Sequence, residues 1–144
     1  MIILFDLFQI LLLSITIFFE ASGENYQSKV AHAWVVKNRV NHILFADSYF
    51  DVIFQPKHFS CYNPDQIEKH VLRFESRGFR ECFIISYKVY YGIIKDNTKG
   101  SLWYTNTYEY VDGKKIKLRR IWMKDLQENC VYDQTTYYGL KDEK

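Results

Sequence analysis

The sequence predicts an α+β domain in which several helices precede a small antiparallel sheet. Helical periodicity of apolar residues dominates the chain as far as Ile94. Beyond a turn at Asn97–Gly100 the pattern becomes aromatic and Thr-rich, with an Asp112-Gly113 hairpin signal. A length of 144 residues supplies one ordinary hydrophobic core and not two.

The elements follow in order. Met1–Phe19 is almost wholly apolar, interrupted by Asp6 and Gln9. It has three readings: a buried core helix, a membrane span, for which roughly 20 apolar residues are needed, and a secretory signal. The signal reading wants an early basic residue, yet no Lys or Arg precedes Lys29. Ala21-Ser22-Gly23 looks like a small-residue cleavage site, and a cut there would discard Glu20. The chain therefore divides into an apolar N-terminal helix, 1–19, in contact with core or membrane, and a domain over 20–144.

Asn25–Phe45 reads as the second helix, with Val30, Ala33, Trp34, Val36, Val40, Ile43 and Leu44 on one face and Lys29, Lys37, Asn38 and Arg39 on the other. Ser48–Phe54 reads as a short helical turn ended by Pro56, and His58–Asp65 as a loop. Gln66–Phe74 and Phe79–Ile94 read as helices. Leu102–Tyr108 reads as a strand, leading through Asp112-Gly113 into Lys114–Met123, with a last strand pair over Asn129–Tyr138. Trp34 and Trp122 are expected in the core.

Composition narrows the function. Net charge is +2 and no Lys/Arg cluster recurs along a face, so nucleic acid is not an expected partner. Aromatic residues make up 18% of the chain, with Tyr the commonest, which suits surfaces that stack on sugars. Cys61, Cys82 and Cys130 have no CxxC spacing and read as free thiols, with at most one disulfide.

Glu20 closes the apolar run. An apolar environment and the C-terminal end of a helix both favour the protonated form of a carboxylic acid, and Glu24 four residues on adds a like charge. A neutral acid is what general-acid cleavage of a glycosidic bond requires. The structural alternative is a solvated Glu at a helix end.

Three ordered stretches carry a family resemblance. Glu20-Ala21-Ser22-Gly23-Glu24 resembles the E-A-R-G-E signature of the SleB-like cell wall hydrolases, with Ser22 in place of Arg. Val30 to Val40, ending Asn38-Arg39-Val40, resembles the helix that follows it. Asp51-Val52-Ile53-Phe54-Gln55-Pro56-Lys57-His58-Phe59-Ser60-Cys61-Tyr62-Asn63 is similar to the family's D-V-I-x-Q-x-x-Q-F-S-C-W/Y run. Trp103-Tyr104 and Trp122 are similar to its C-terminal aromatic region. Two histidines of the family pattern are absent: Trp103-Tyr104-Thr105 stands for W-Y-H, and Asp133-Gln134-Thr135-Thr136-Tyr137 for G-x-H-x-F/Y. A segment around Val111–Arg119 looks inserted.

The resemblance implies a lysozyme-like scaffold that cuts peptidoglycan glycan strands at the cell wall, as a monomer without metal or organic cofactor. It implies Glu20 as catalytic acid/base, yielding either hydrolysis or a 1,6-anhydro product. Glu24, Gln55, Ser60, Tyr62, Asn63, Trp103 and Tyr104 are the expected substrate-binding residues, while Phe59 and Cys61 are expected as core plugs. Asp47, Asp51 and Asp65 are weaker carboxylate partners for Glu20 than Glu24, and a one-acid mechanism is favoured. Rival readings are a zinc site begun by His58, Cys61 and His70, a cysteine peptidase pairing Cys61 with His70, and a non-catalytic peptidoglycan-binding or phage structural protein on the same fold.

Overall fold

The computed structural model describes residues 3–56, 58–67 and 76–141. The helices α1 (Leu4–Ala21), α2 (Tyr26–Val40), α3 (Tyr49–Ile53), α4 (Pro64–Ile67) and α5 (Arg77–Tyr90) come first, with a 3-10 turn at Ser60–Tyr62. The strands β1 (Trp103–Asn106), β2 (Tyr108–Val111), β3 (Lys114–Lys117), β4 (Leu126–Tyr132) and β5 (Thr135–Leu140) follow. The α+β order expected from the sequence is the one observed.

Helix α1 contains neither Gly nor Pro, and its internal hydroxyls are satisfied locally. Ser14 donates to the Ile10 carbonyl at 2.6 Å and Thr16 to that of Leu12 at 2.8 Å. Ile10, Leu13, Ile17 and Ala21 recur at helical spacing and are at most 1% exposed. This stripe packs on α5, α2 and α3. Asp6, the charge inside the apolar run, accepts a 2.7 Å hydrogen bond from the Tyr90 hydroxyl and so ties the start of α1 to the end of α5. The opposite side of the first turns, at Leu4, Phe5 and Phe8, is exposed. By length and composition α1 is also apolar enough to cross a membrane.

Helix α2 begins at its Asn25 cap, whose side chain accepts from the Ser28 amide at 2.9 Å. It ends at Val40, short of the expected Phe45. The apolar period continues past the helix, but Ile43 and Leu44 are 95% and 61% exposed. There the His42 ring accepts from the Leu44 amide at 3.1 Å and closes a turn instead.

The expected polar side of α2 is not solvated. Lys29 and Arg39 are buried, at 6% and 4% exposure. Lys29 pairs with Glu81 at 3.3 Å, and Lys37 donates to the Val89 and Tyr90 carbonyls at the C-terminus of α5. Val30, Ala33 and Val36 face the helical core, while Ala31 and Val35 pack with Tyr137 of the sheet. Both sides of α2 are thus occupied by other elements.

Ser48 and Ser76 cap α3 and α5, accepting from the Asp51 and Phe79 amides. Helix α5 starts earlier and ends earlier than the expected Phe79–Ile94, stopping at Tyr90 ahead of Gly92, whose φ is +69°. The expected loop at His58–Asp65 contains the 3-10 turn and the start of α4. Of the expected helix Gln66–Phe74, only Gln66 and Ile67 fall within the described residues, in α4.

Strand β5 is the centre of a three-stranded antiparallel sheet ordered β1-β5-β4. The expected strand Leu102–Tyr108 splits at Thr107, whose hydroxyl bonds that of Thr136 at 2.7 Å and whose amide donates to the Gln134 carbonyl at 2.8 Å. From there β2 leaves the sheet and pairs with β3 as a separate hairpin. Asp112 and Gly113, at φ of +50° and +75°, form its turn, as their sequence predicts. Strand β4 starts at Leu126, before the expected Asn129, and its register shifts between Glu128 and Cys130. Trp122 is 46% exposed, not in the core, and packs edge-on against Tyr138.

Truncating Leu13, which is fully buried in the stripe of α1, should cost about 2–5 kcal/mol of unfolding free energy. Urea titration of Leu13→Ala measures it, and a loss under about 0.5 kcal/mol, the range of surface substitutions, would remove α1 from the folding unit.

Candidate active site

Where α1 ends, α2 begins and β1 crosses them, a cavity of about 340 Å³ opens to solvent. Its wall is made by Glu20, Glu24, His32, Arg39, His58, Ser60, Tyr104, Thr105, Asn106 and Thr135. The volume is in the range of small-molecule sites, and the lining is dominated by polar groups.

Glu20 sits in the last turn of α1, half-buried. Both carboxylate oxygens are held. The Cys61 amide donates to Oε1 and the Tyr104 hydroxyl to Oε2, each at 3.2 Å. The first donor exists because the 3-10 turn at Ser60–Tyr62 points a backbone N–H towards α1, and the second because β1 lies across the end of that helix. Burial, and Glu20 after it, push the Tyr104 hydroxyl well above its ordinary value; the Arg39 charge opposes that shift.

Arg39 supplies the positive charge. Its Nε donates to the Leu102 carbonyl at 2.6 Å, and its guanidinium lies 5.2 Å from the ring centres of Phe45 and of Phe59. Burial pulls its pKa down to about 10, with Tyr104 and Glu20 opposing, so it stays protonated at neutral pH. Its Nη1 donates to Nδ1 of His58 at 3.3 Å. Burial first and the Arg39 charge second lower the pKa of His58.

Glu24 lies in the link between α1 and α2, facing the same cavity. It accepts from the Thr135 hydroxyl at 2.6 Å, and its other oxygen is 3.7 Å from Nε2 of His32. His32 is held by a buried network: Nδ1 is 2.9 Å from the Ser28 carbonyl and 2.8 Å from the Tyr137 hydroxyl. Its ring centre is 4.3 Å from that of Tyr104.

The expected site residues separate into two groups. Glu20, Glu24, Ser60 and Tyr104 meet at the cavity. Gln55 is exposed away from its lining, and its carbonyl accepts from the His58 amide. Tyr62 turns inward, bonding Thr16 at 2.9 Å and packing on Phe19 and Phe54. Asn63 follows the 3-10 turn as its cap, and Trp103 packs against Phe45. Phe59 and Cys61 are the expected core plugs, 3% and 4% exposed.

Sequence reasoning missed His32, Arg39, His58, Thr105, Asn106 and Thr135 as wall residues. His32 and Arg39 are seven apart, two helical turns, and that spacing was the available signal. Thr105 and Thr135, which stand where the family pattern has histidine, both line the cavity.

The rival chemistries find little support. The three cysteines are free. Burial, with the nearby Glu20, raises the pKa of the Cys61 thiol, the reverse of what a nucleophilic thiolate needs. Among the described residues no three His, Cys, Asp or Glu side chains gather as metal ligands. His70 lies outside the described residues.

A family model described as Cell Wall Hydrolase matches residues 23–138, starting three residues after Glu20. A spore cortex-lytic enzyme from Oceanobacillus iheyensis is 41% identical over 56 residues, which are 39% of this chain and 20% of that enzyme. The match thus spans about a fifth of that relative's length. The catalytic domain of the Bacillus cereus SleB protein superposes with a TM-score of 0.69 at 22% identity, covering 91% of this chain and 89% of that one. The catalytic domain of the germination-specific lytic transglycosylase SleB from Bacillus anthracis gives 0.66 at 20% identity, covering 91% and 93%. These likenesses establish the lysozyme-like fold.

The lowered pKa of His58 sets a pH dependence. Below about pH 6.5 the unfolded chain takes a proton at His58 more readily than the folded one, so stability falls with acidification. Between about pH 7 and pH 5, wild type should lose more unfolding free energy than His58→Gln, measured by urea titration of both proteins. Equal losses would contradict the environment described for this ring.

Proposed function

The chain belongs to the cell wall hydrolase family, and from that premise we propose that it cleaves peptidoglycan glycan strands with Glu20 as the sole general acid/base. The observation that carries this reading is the Glu20 carboxyl group, clasped on both oxygens by Tyr104 and the Cys61 amide, on the wall of a polar cavity.

A glycosidase with two acting carboxylates needs a partner for Glu20, about 5–5.5 Å away when retaining and about 6.5–9.5 Å when inverting. Asp47, Asp51 and Asp65 are not among the cavity-lining residues, and Asp51 accepts from Ser48 at its own helix cap. Glu24 lines the cavity but is engaged by Thr135 and faces His32. This arrangement favours a reaction whose nucleophile belongs to the sugar. Glu20 protonates the bridging oxygen as the bond from C1 to that oxygen breaks. The 6-hydroxyl of the same sugar then bonds to C1 and returns its proton to Glu20, leaving a 1,6-anhydro end. Water and redox partners are not consumed.

The neighbours have roles in the same scheme. Tyr104 and the Cys61 amide fix the carboxyl group, and Arg39 stabilises the negative charge left after proton donation. Ser60, Asn106 and Thr135 offer hydrogen-bonding groups to acetamido and hydroxyl substituents. The reading requires α1 to remain on the working enzyme, because removal before Glu24 would take Glu20 with it. Burial of Ile10, Leu13 and Ile17 supports retention. The site of action is then the cell wall, with the exposed apolar turns at Leu4, Phe5 and Phe8 available for membrane contact.

Purified protein incubated with peptidoglycan should release muropeptides with anhydro ends, identified by mass spectrometry. Glu20→Gln should lower the rate by at least about 10² while keeping the thermal transition. New reducing ends would assign the attack to water instead. Binding without either product would make the protein a recognition module on this fold.

A further inference from the structure

The catalytic cavity does not end at Thr135. A depression of about 320 Å³ adjoins it and shares Glu20, Glu24 and Asn106 with it. A third, of about 410 Å³, shares Asn106 and Gln134 with the second and runs beneath the hairpin β2–β3. Its remaining wall is Tyr108, Glu109, Tyr110 and Lys115, and the Glu109 carboxylate is paired with Arg120 at 3.3 Å. Asn106 lines all three, so one trough leads from Glu20 to the hairpin.

The hairpin end of this trough carries side chains that the fold does not use. Tyr108 and Tyr110 alternate onto one face of β2, and are 49% and 73% exposed. Lys115 pairs across from Tyr110, and its ammonium lies 4.4 Å from the ring centre of Tyr108. Exposed rings with a cation beside them form an amphipathic platform. Such rings stack on the C–H faces of pyranose sugars, and the ammonium complements a carboxylate. The hairpin also covers most of the Val111–Arg119 stretch that looks inserted relative to the family pattern.

We propose that the hairpin forms a remote subsite for the same glycan strand, with Tyr108 and Tyr110 stacking on sugars beyond the scissile bond. Lys115 pairs there with a carboxylate of a stem peptide. This rests on the glycan-strand reading of the catalytic cavity and adds a preference for long, peptide-bearing strands.

Binding is measured in the Glu20→Gln background, so that strands are not consumed, with soluble glycan fragments of graded length. The parent should bind long strands more tightly than two-disaccharide fragments. Adding Tyr108→Ala and Tyr110→Ala should remove that gain, weakening long strands about tenfold and short ones much less. Lys115→Glu, a second surface variant, should weaken peptide-bearing strands more than peptide-free ones. Circular dichroism and thermal melting check that each variant is folded. Unchanged binding of long strands, or equal loss for short and long, overturns the subsite. If protein with Glu20 intact leaves peptidoglycan uncut, the catalytic reading fails while the length series still decides the subsite. Absence of both cleavage and binding removes both.

Discussion

Arg39 reaches from the end of α2 to the Leu102 carbonyl, 2.6 Å from its Nε, and is 4% exposed. A guanidinium buried to that degree is costly unless its donors and charge are answered. The carbonyl, the His58 ring and the faces of Phe45 and Phe59 answer it. The bond also anchors the chain at Leu102, one residue before β1 begins. Two residues on is Tyr104, whose hydroxyl must reach Glu20. The position of the Glu20 carboxyl relative to the sheet thus depends on a charge buried between helix and strand.

The other end of α2 is tied to the sheet in a similar way. Tyr137 in the central strand is fully buried, and its hydroxyl meets Ser28 and His32 one helical turn apart. Thr135 on the same strand then falls within 2.6 Å of Glu24. These polar contacts fix the register of the sheet against α2, and the cavity between them follows from that register. A purely apolar seam would hold the layers together but leave their relative shift less sharply defined.

Much of this was legible in the sequence. The helical period, the Asp112-Gly113 turn and the family resemblance of Glu20 to Glu24 all depend on neighbours in the chain. The errors came where distant residues decide. Lys29, Lys37, Asn38 and Arg39 read only as the side of α2 opposite its apolar face, and the partner of each lies some fifty to sixty residues away, as Lys37 finds in Val89 and Arg39 in Leu102. Tyr62 read as a sugar contact, yet the 3-10 turn rotates it towards Thr16. The apolar period runs on past Val40 through the exposed Ile43 and Leu44, so the pattern alone overextends α2. The two threonines at histidine positions read only as departures, whereas both lie on the cavity wall beside His32 and His58.

One of the two donors to Glu20 is the main-chain amide of Cys61, not a side chain. Any residue other than proline supplies that group, provided the turn keeps its shape. Half of the clasp on the carboxyl is therefore insulated from drift at position 61. Tyr104 has no such protection, so divergence among descendants of this chain can loosen the acid from the strand side while the turn side persists.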